Sequence, residues 1–219
     1  MSELAEVRSN MPLRWVHVDE ACIVVDKPSG LLSVPGRGAH LQDCAAARVQ
    51  ARWPDARVVH RLDMATSGLL LFARGAPAQR KLSDAFAQRA IEKRYVAVVH
   101  GAVAPASGEI DLPLLTDWPN RPRQKVDLSD GKPSVTRWRV LGSDPLQHTT
   151  RLELTPLTGR SHQLRVHLMA LGHPILGDAL YAPPEVRASA DRLLLHADAL
   201  AFAHPVGGGW LSFECPAPF

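Results

Sequence analysis

A short polar run separates two apolar stretches of this chain, and it holds residue types that do acid–base or nucleophilic chemistry: His60-Arg61-Leu62-Asp63-Met64-Ala65-Thr66-Ser67-Gly68. The segment from Gly68 to Ala73 is continuously apolar, which predicts a strand buried on both faces. Val58 and Val59 on the other side predict a short strand. Arg61 and Asp63 then sit in a loop at a sheet edge, where scaffolded loops concentrate function. Thr66, Ser67 and Gly68 supply the turn chemistry that can fix such a loop. An ionised Asp63 could serve as nucleophile or base. The same residues also fit a structural Arg–Asp pair beside a turn, and the spacing alone leaves both readings open.

Other reactive types are scattered. His162 and His167 are five apart, not the four that sets two ligands on one helix face. His60, His100, His173 and His196 show no ligand-like spacing, so no metal site is expected. Cys22, Cys44 and Cys215 form no CxxC pair, and their odd number argues for three reduced thiols rather than a disulfide framework.

The elements that position these residues follow from periodicity. Trp15–Val18 and Cys22–Val25 predict two strands joined at Asp19-Glu20. Pro28-Ser29-Gly30 is a turn leading into Leu31–Val34. A helix is expected from Leu41 to Trp53, ended by Pro54, and another from Pro77 to Arg89. Tyr95–Val99, Val135–Leu141, Thr150–Thr155, Leu193–Leu195 and Leu211–Phe213 read as strands. Ala104–Gly108 reads as a turn, and Gly207–Gly209 as a hairpin turn. Asp117–Arg123 is too rich in proline for regular structure and reads as a basic loop. Ser161–Leu171 reads as a helix closed by Gly172 and Pro174. Many strands with about three helices predict an α+β fold with a mixed, largely antiparallel central sheet.

Composition narrows the class. The 219 residues can bury a sizeable core. No stretch approaches the apolar length of a membrane helix, and the N-terminus lacks the apolar core of a signal peptide, so a cytoplasmic location is expected. The net charge is +3, but the bases are clustered. Arg57–Arg94 holds eight bases against three acids, and Pro119–Arg139 six against two. Such clusters suit a phosphate backbone, and they equally suit solvated faces.

The motifs settle the direction. HRLDMATSGLLLFA resembles the signature of the RluA family of pseudouridine synthases. Four further segments resemble that family in order: DKPSGL from Asp26, EKRYVA from Glu92, LTGRSHQLRVHL from Leu157 and GHPILGD from Gly172. The resemblance runs from about Asp26 to at least Tyr181. It implies the pseudouridine synthase fold as a single catalytic domain over 1–219. Residues 1–12 are expected to form a flexible tail, as chain termini commonly do; an RNA-binding S4 domain is expected to have no room before Asp26, and no group in the implied reaction needs a cofactor.

The resemblance also implies roles. Asp63 matches the catalytic aspartate, Tyr95 the tyrosine that packs on the target base, and Arg165 the basic residue paired with the aspartate. Arg61 matches the residue that enters the RNA stack when the target base leaves it. His60, Arg160 and His162 are expected to bind RNA or to hydrogen-bond within their motif loops. Arg121 and Arg123, beside Trp118, suggest a basic RNA-contacting loop with Trp118 as a stacking platform, although Trp118 also fits a core position. The implied partners are 23S ribosomal RNA (position 746) and tRNA anticodon stem-loops (position 32), met by a monomer. A target inside a stem-loop must be flipped out to be reached. Two other classes remain at this point: a non-catalytic RNA-folding chaperone, and a metal-dependent RNA hydrolase, for which the necessary ligand cluster is not visible.

Overall fold

The alternating residues near the start form the expected hairpin. In the computed structural model, β1 (Arg14–Val18) pairs antiparallel with β2 (Cys22–Lys27). Residues 12–219 are described. The expected tail over 1–12 lies, but for its last residue, outside them. By internal contacts the chain divides into two units. One comprises the described part of 1–93 with Ala197–Pro218, and the other comprises Arg94–His196 with Phe219.

In the first unit β2 pairs with β4 (Ser67–Arg74), and β3 (Ala56–Val58) also pairs with β4. Both pairings are antiparallel. All of β4 but Arg74 is buried, as its apolar run requires. β11 (Leu195–Ala203) and β12 (Trp210–Glu214) form an antiparallel hairpin across the Gly207–Gly209 turn. The helices are α1 (Ala45–Arg52) and α2 (Gly75–Ala87). Ala78 and Leu82 of α2 pack on Val24, Leu69, Leu71 and Phe202 to form the core.

Helix α1 is shorter than Leu41–Trp53. Cys44 is extended, its Sγ accepts from Ala47 N, and Ala45 N and Ala46 N donate to Leu32 O and Ser33 O. The first free helix donors are thus consumed by a neighbouring segment, which sets the start at Ala45. All three cysteines are buried free thiols, as expected.

In the second unit the strand order is β5 (Glu92–His100), β10 (Thr149–Pro156), β9 (Val135–Asp144), β6 (Ser107–Asp111). β10 alternates strictly between partly exposed and buried residues. β7 (Leu114–Thr116) and β8 (Gln124–Val126) form a separate antiparallel hairpin. The helices are α3 (Gln163–Ala170) and the short α4 (Pro184–Ala188).

Ser107 and Gly108 belong to β6 rather than to a turn. Gly108 faces Trp138 on β9, and a Cβ there would lie 2.7 Å from the indole. That glycine serves close packing, not turn geometry. The fold is α+β, a mixed and largely antiparallel arrangement flanked by helices.

Candidate active site

Asp63 lies in the connection from β3 to β4, and its loop is held by the segment after β2. Ser33 Oγ donates to Leu62 O (2.7 Å) and accepts from Leu62 N (3.0 Å). Ser29 Oγ donates to Ala65 O (2.7 Å), and Gly30 N donates to Met64 O (2.8 Å). Lys27 is fully buried, and its Nζ donates to Pro28 O (2.9 Å), Leu31 O (2.8 Å) and Met64 O (3.1 Å). A buried ammonium is costly unless each donor finds an acceptor, and hydrogen bonds from a charged group are the strong kind. The DKPSGL and HRLDMATSG segments therefore form one rigid object. Thr66 N closes the turn on Asp63 O (3.1 Å). Gly68, with φ +109°, lets β4 approach β11 closely: a Cβ there would lie 2.3 Å from Ala197 O. Asp63 itself is half-buried, and Arg61 is exposed.

His60 is engaged within this loop. Its Nε2 accepts from Leu71 N (2.9 Å), and its ring stacks on Phe86 with centroids 4.6 Å apart. Burial, with a smaller effect from Lys93, pushes its pKa down to about 3, so the ring is neutral at physiological pH. Burial also lowers the pKa of Lys93.

The second unit carries Tyr95, half-buried on β5 opposite Leu154 of β10. It also carries Arg165, buried on α3. Arg165 makes a two-pronged pair with Asp178, Nε to Oδ2 at 2.8 Å and Nη2 to Oδ1 at 2.6 Å. Both side chains are almost wholly buried, at 5% and 1% exposure. Asp178 Oδ1 also accepts from Leu180 N and Tyr181 N. Arg165 lies 5.1 Å from the Tyr181 ring centroid. Tyr181 OH accepts from Gln124 N (2.8 Å) and bonds His162 Nδ1 (2.6 Å).

The rest of the LTGRSHQLRVHL segment is fixed the same way. Gln163 bonds Thr158, Thr136 and the backbone of Val135 and Arg160. His167 bridges Thr136 Oγ1 and Leu112 O, and burial lowers its pKa. A helix can bury polar side chains on this scale only when each is satisfied.

Trp118 is 65% exposed at the tip of the β7–β8 hairpin, which answers the choice between core and surface. Arg121 lies over its ring at 3.2 Å from the centroid, and Arg123 lies 5.4 Å from the Tyr181 ring. Arg160 is exposed, with Nε 3.3 Å from Pro133 O.

The sequence reading gave no role to Lys27, Ser33, Gln163, Asp178 or Tyr181. Lys27 and Asp178 lie inside the quoted motifs, but only the folded backbone shows what each holds. Among the described residues no helix is long and apolar enough to cross a membrane.

Comparison with known proteins agrees with the motifs. The sequence model of the family described as RNA pseudouridylate synthase matches residues 21–170. The dual-specificity RNA pseudouridine synthases RluA of Pasteurella multocida (strain Pm70) and Escherichia coli (strain K12) are each 52% identical to this chain over 204 residues, 93% of both chains. The solved structure of human RNA pseudouridylate synthase domain containing 1 superposes with a TM-score of 0.78 at 30% identity, covering 95% of this chain and 84% of that one. Human RNA pseudouridylate synthase domain containing 4 gives 0.74 at 25% identity, covering 98% and 91%. With five motifs in order, a matching fold and relatives of this similarity, the chain belongs to the RNA pseudouridylate synthase family, among the RluA-type enzymes that isomerise uridine to pseudouridine in RNA.

Proposed function

We propose that this enzyme acts on uridines of two structured RNAs, 23S ribosomal RNA at position 746 and the tRNA anticodon stem-loop at position 32. The name of the relatives, dual-specificity RNA pseudouridine synthase, supports two substrates. The observation that carries the catalytic reading is the bracing of the Asp63 loop by Lys27, Ser29, Gly30 and Ser33. A loop so heavily fixed around a half-buried carboxylate suits a group that must meet a sugar carbon with little freedom.

The reaction breaks the C1′–N1 bond, turns the uracil, and joins C1′ to C5. The C5 proton leaves to solvent and N1 gains one, so no oxidant or reductant is needed. Asp63 is the catalytic carboxylate. Both routes open to it, attack on the ribose and removal of the C2′ proton, require its ionised form. Arg165 is its basic partner, held in one orientation by Asp178. Tyr95 offers an aromatic face to the flipped base.

Unstacking a base costs a few kcal/mol. Arg61, an exposed planar cation beside Asp63 in sequence, fills the vacated space and contacts phosphate. Arg121, Arg123, Arg160 and His162 contribute RNA contacts, and His60 positions the loop. The enzyme works as a single-domain monomer in the cytoplasm and without a cofactor in the chemistry.

Chemical mapping of pseudouridine in 23S ribosomal RNA and tRNA from cells lacking the gene, with and without the wild-type protein supplied, tests the substrates. Restoration at both positions is expected. Restoration at one only, or at another uridine, overturns the dual assignment.

A further inference from the structure

Tyr181 is buried in the second unit, and its backbone, ring and hydroxyl each engage a different partner. Its N donates to Asp178 Oδ1 (3.2 Å), an oxygen that also accepts from Arg165 Nη2. Its ring packs on Leu114 of β7 and Val166 of α3. Two guanidinium groups lie over that ring, with Arg165 Cζ 5.1 Å and Arg123 Cζ 5.4 Å from the centroid. Its hydroxyl accepts from Gln124 N (2.8 Å), at the start of β8, and bonds His162 Nδ1 (2.6 Å), just before α3.

Strands β7 and β8 have three residues each, and a lone two-stranded hairpin is at best marginally stable in water. The orientation of the tip, with Trp118, Arg121 and Arg123, is therefore set by what the hairpin docks on. Tyr181 belongs to that support: Leu114 and Val126 of the hairpin share one apolar cluster with Tyr181, Val166 and Met169. His162 has φ +55°, a left-handed conformation that costs a residue bearing a Cβ. Such residues persist where their surroundings over-determine them, and they gather at functional sites. Packing alone requires only the Tyr181 ring. A buried phenol oxygen must find polar partners, and this one finds them on the hairpin and at the head of α3.

We propose that Tyr181 is a positioning residue for the isomerisation. Its hydroxyl locks the β7–β8 hairpin and His162 in register with Arg165, so that an RNA seated on the tip is presented to Arg165 in one orientation. Tyr181 acts through Arg123, His162 and Arg165 rather than on the reacting atoms. The inference rests on the roles given above to the tip, His162 and Arg165, and it does not depend on which uridine is the target.

The test is single-turnover tritium release by the full chain, at rising enzyme concentration and well below the unfolding midpoint. The substrate is RNA labelled at uridine C5 and extracted from cells lacking the gene, which holds every uridine the enzyme takes. Tyr181→Phe keeps the ring and removes both hydroxyl bonds. A misplacement of this kind is expected to lower the plateau rate by on the order of tenfold to a hundredfold. The half-saturating concentration should change by less than about threefold, because phosphate contacts dominate affinity. A merely structural role would instead reduce the amplitude, through unfolded protein, and leave the rate constant as in wild type. His162→Ala provides a second reading. Its rate loss combined with that of Tyr181→Phe should fall short of the product of the two, because the variants remove a shared bond. A plateau rate of Tyr181→Phe within about twofold of wild type, a loss confined to amplitude or half-saturation, or fully multiplicative losses would overturn the proposal. Release by Asp63→Ala at the wild-type rate would instead mark a failure of the catalytic reading, and a target other than the two named uridines a failure of the substrate assignment alone.

Discussion

The ammonium of Lys27 donates across 3.1 Å to the carbonyl oxygen of Met64, one residue past Asp63. A buried cation at the end of β2 thereby holds the backbone of the loop that bears Asp63. Replacing Lys27 by Met removes its donor from Pro28 O and Leu31 O, while Met64 O keeps Gly30 N. An unmet buried polar group costs about 1–3 kcal/mol, and partial relaxation is expected to leave a net loss of about 3 kcal/mol. A loop displaced by an ångström is expected to lower kcat by about a hundredfold. Urea unfolding and single-turnover kinetics of Lys27→Met check both numbers.

The Arg165–Asp178 pair gives a second prediction. Removing one partner of a buried pair leaves an uncompensated charge, at a cost of about 3–5 kcal/mol. Asp178→Ala should lose that much stability by chemical denaturation. A lost midpoint with unchanged slope is the expected form, because the unfolded state is not altered.

The β7–β8 tip is expected to act on RNA and not on the fold. Arg121→Ala and Arg123→Ala should each change stability by less than about 0.5 kcal/mol. Each should raise KM and reduce the salt-dependence slope of RNA binding by about one. Filter binding at several salt concentrations reads the slope. An unchanged slope in the double variant would remove this loop from the interface.

His60 makes stability depend on pH in a definite direction. Its folded pKa, about 3, lies below its ordinary value of 6.5, so the unfolded chain binds the proton more readily. The stabilisation is therefore present above pH 6.5 and lost as the pH falls from there toward 3. The slope from this one group is at most about 1.4 kcal/mol per pH unit. Denaturant melts at pH 7, 5.5 and 4.5 should show a steeper acid loss for wild type than for His60→Gln.

Much of the architecture was legible in the residues. The alternation around Trp15–Val25 and Thr150–Thr155, and the apolar run of β4, left little choice of element. The three-residue strands β7 and β8 were not legible, because neither is long enough to show a period and a proline-rich tip lies between them. Ser107 and Gly108 read as a turn because only the facing Trp138 shows why a glycine stands in a strand. The motifs located Asp63, Tyr95 and Arg165, but not what braces them. A lysine is rarely fully buried, so Lys27 carried no signal as an anchor. Asp178 is thirteen residues from Arg165, and only the packing of α3 brings the two together.

The most direct test of the central claim is tritium release from tRNA anticodon stem-loop and 23S fragment transcripts labelled at uridine C5. Wild type, Asp63→Ala and Asp63→Asn would be compared, with RNA binding measured in parallel. Isomerisation replaces the C5–H bond with C5–C1′, so each turnover frees one label to solvent. The expected result is release by wild type and none above background by either variant, with RNA affinity retained. Release by Asp63→Asn at the wild-type rate would contradict the role given to this carboxylate.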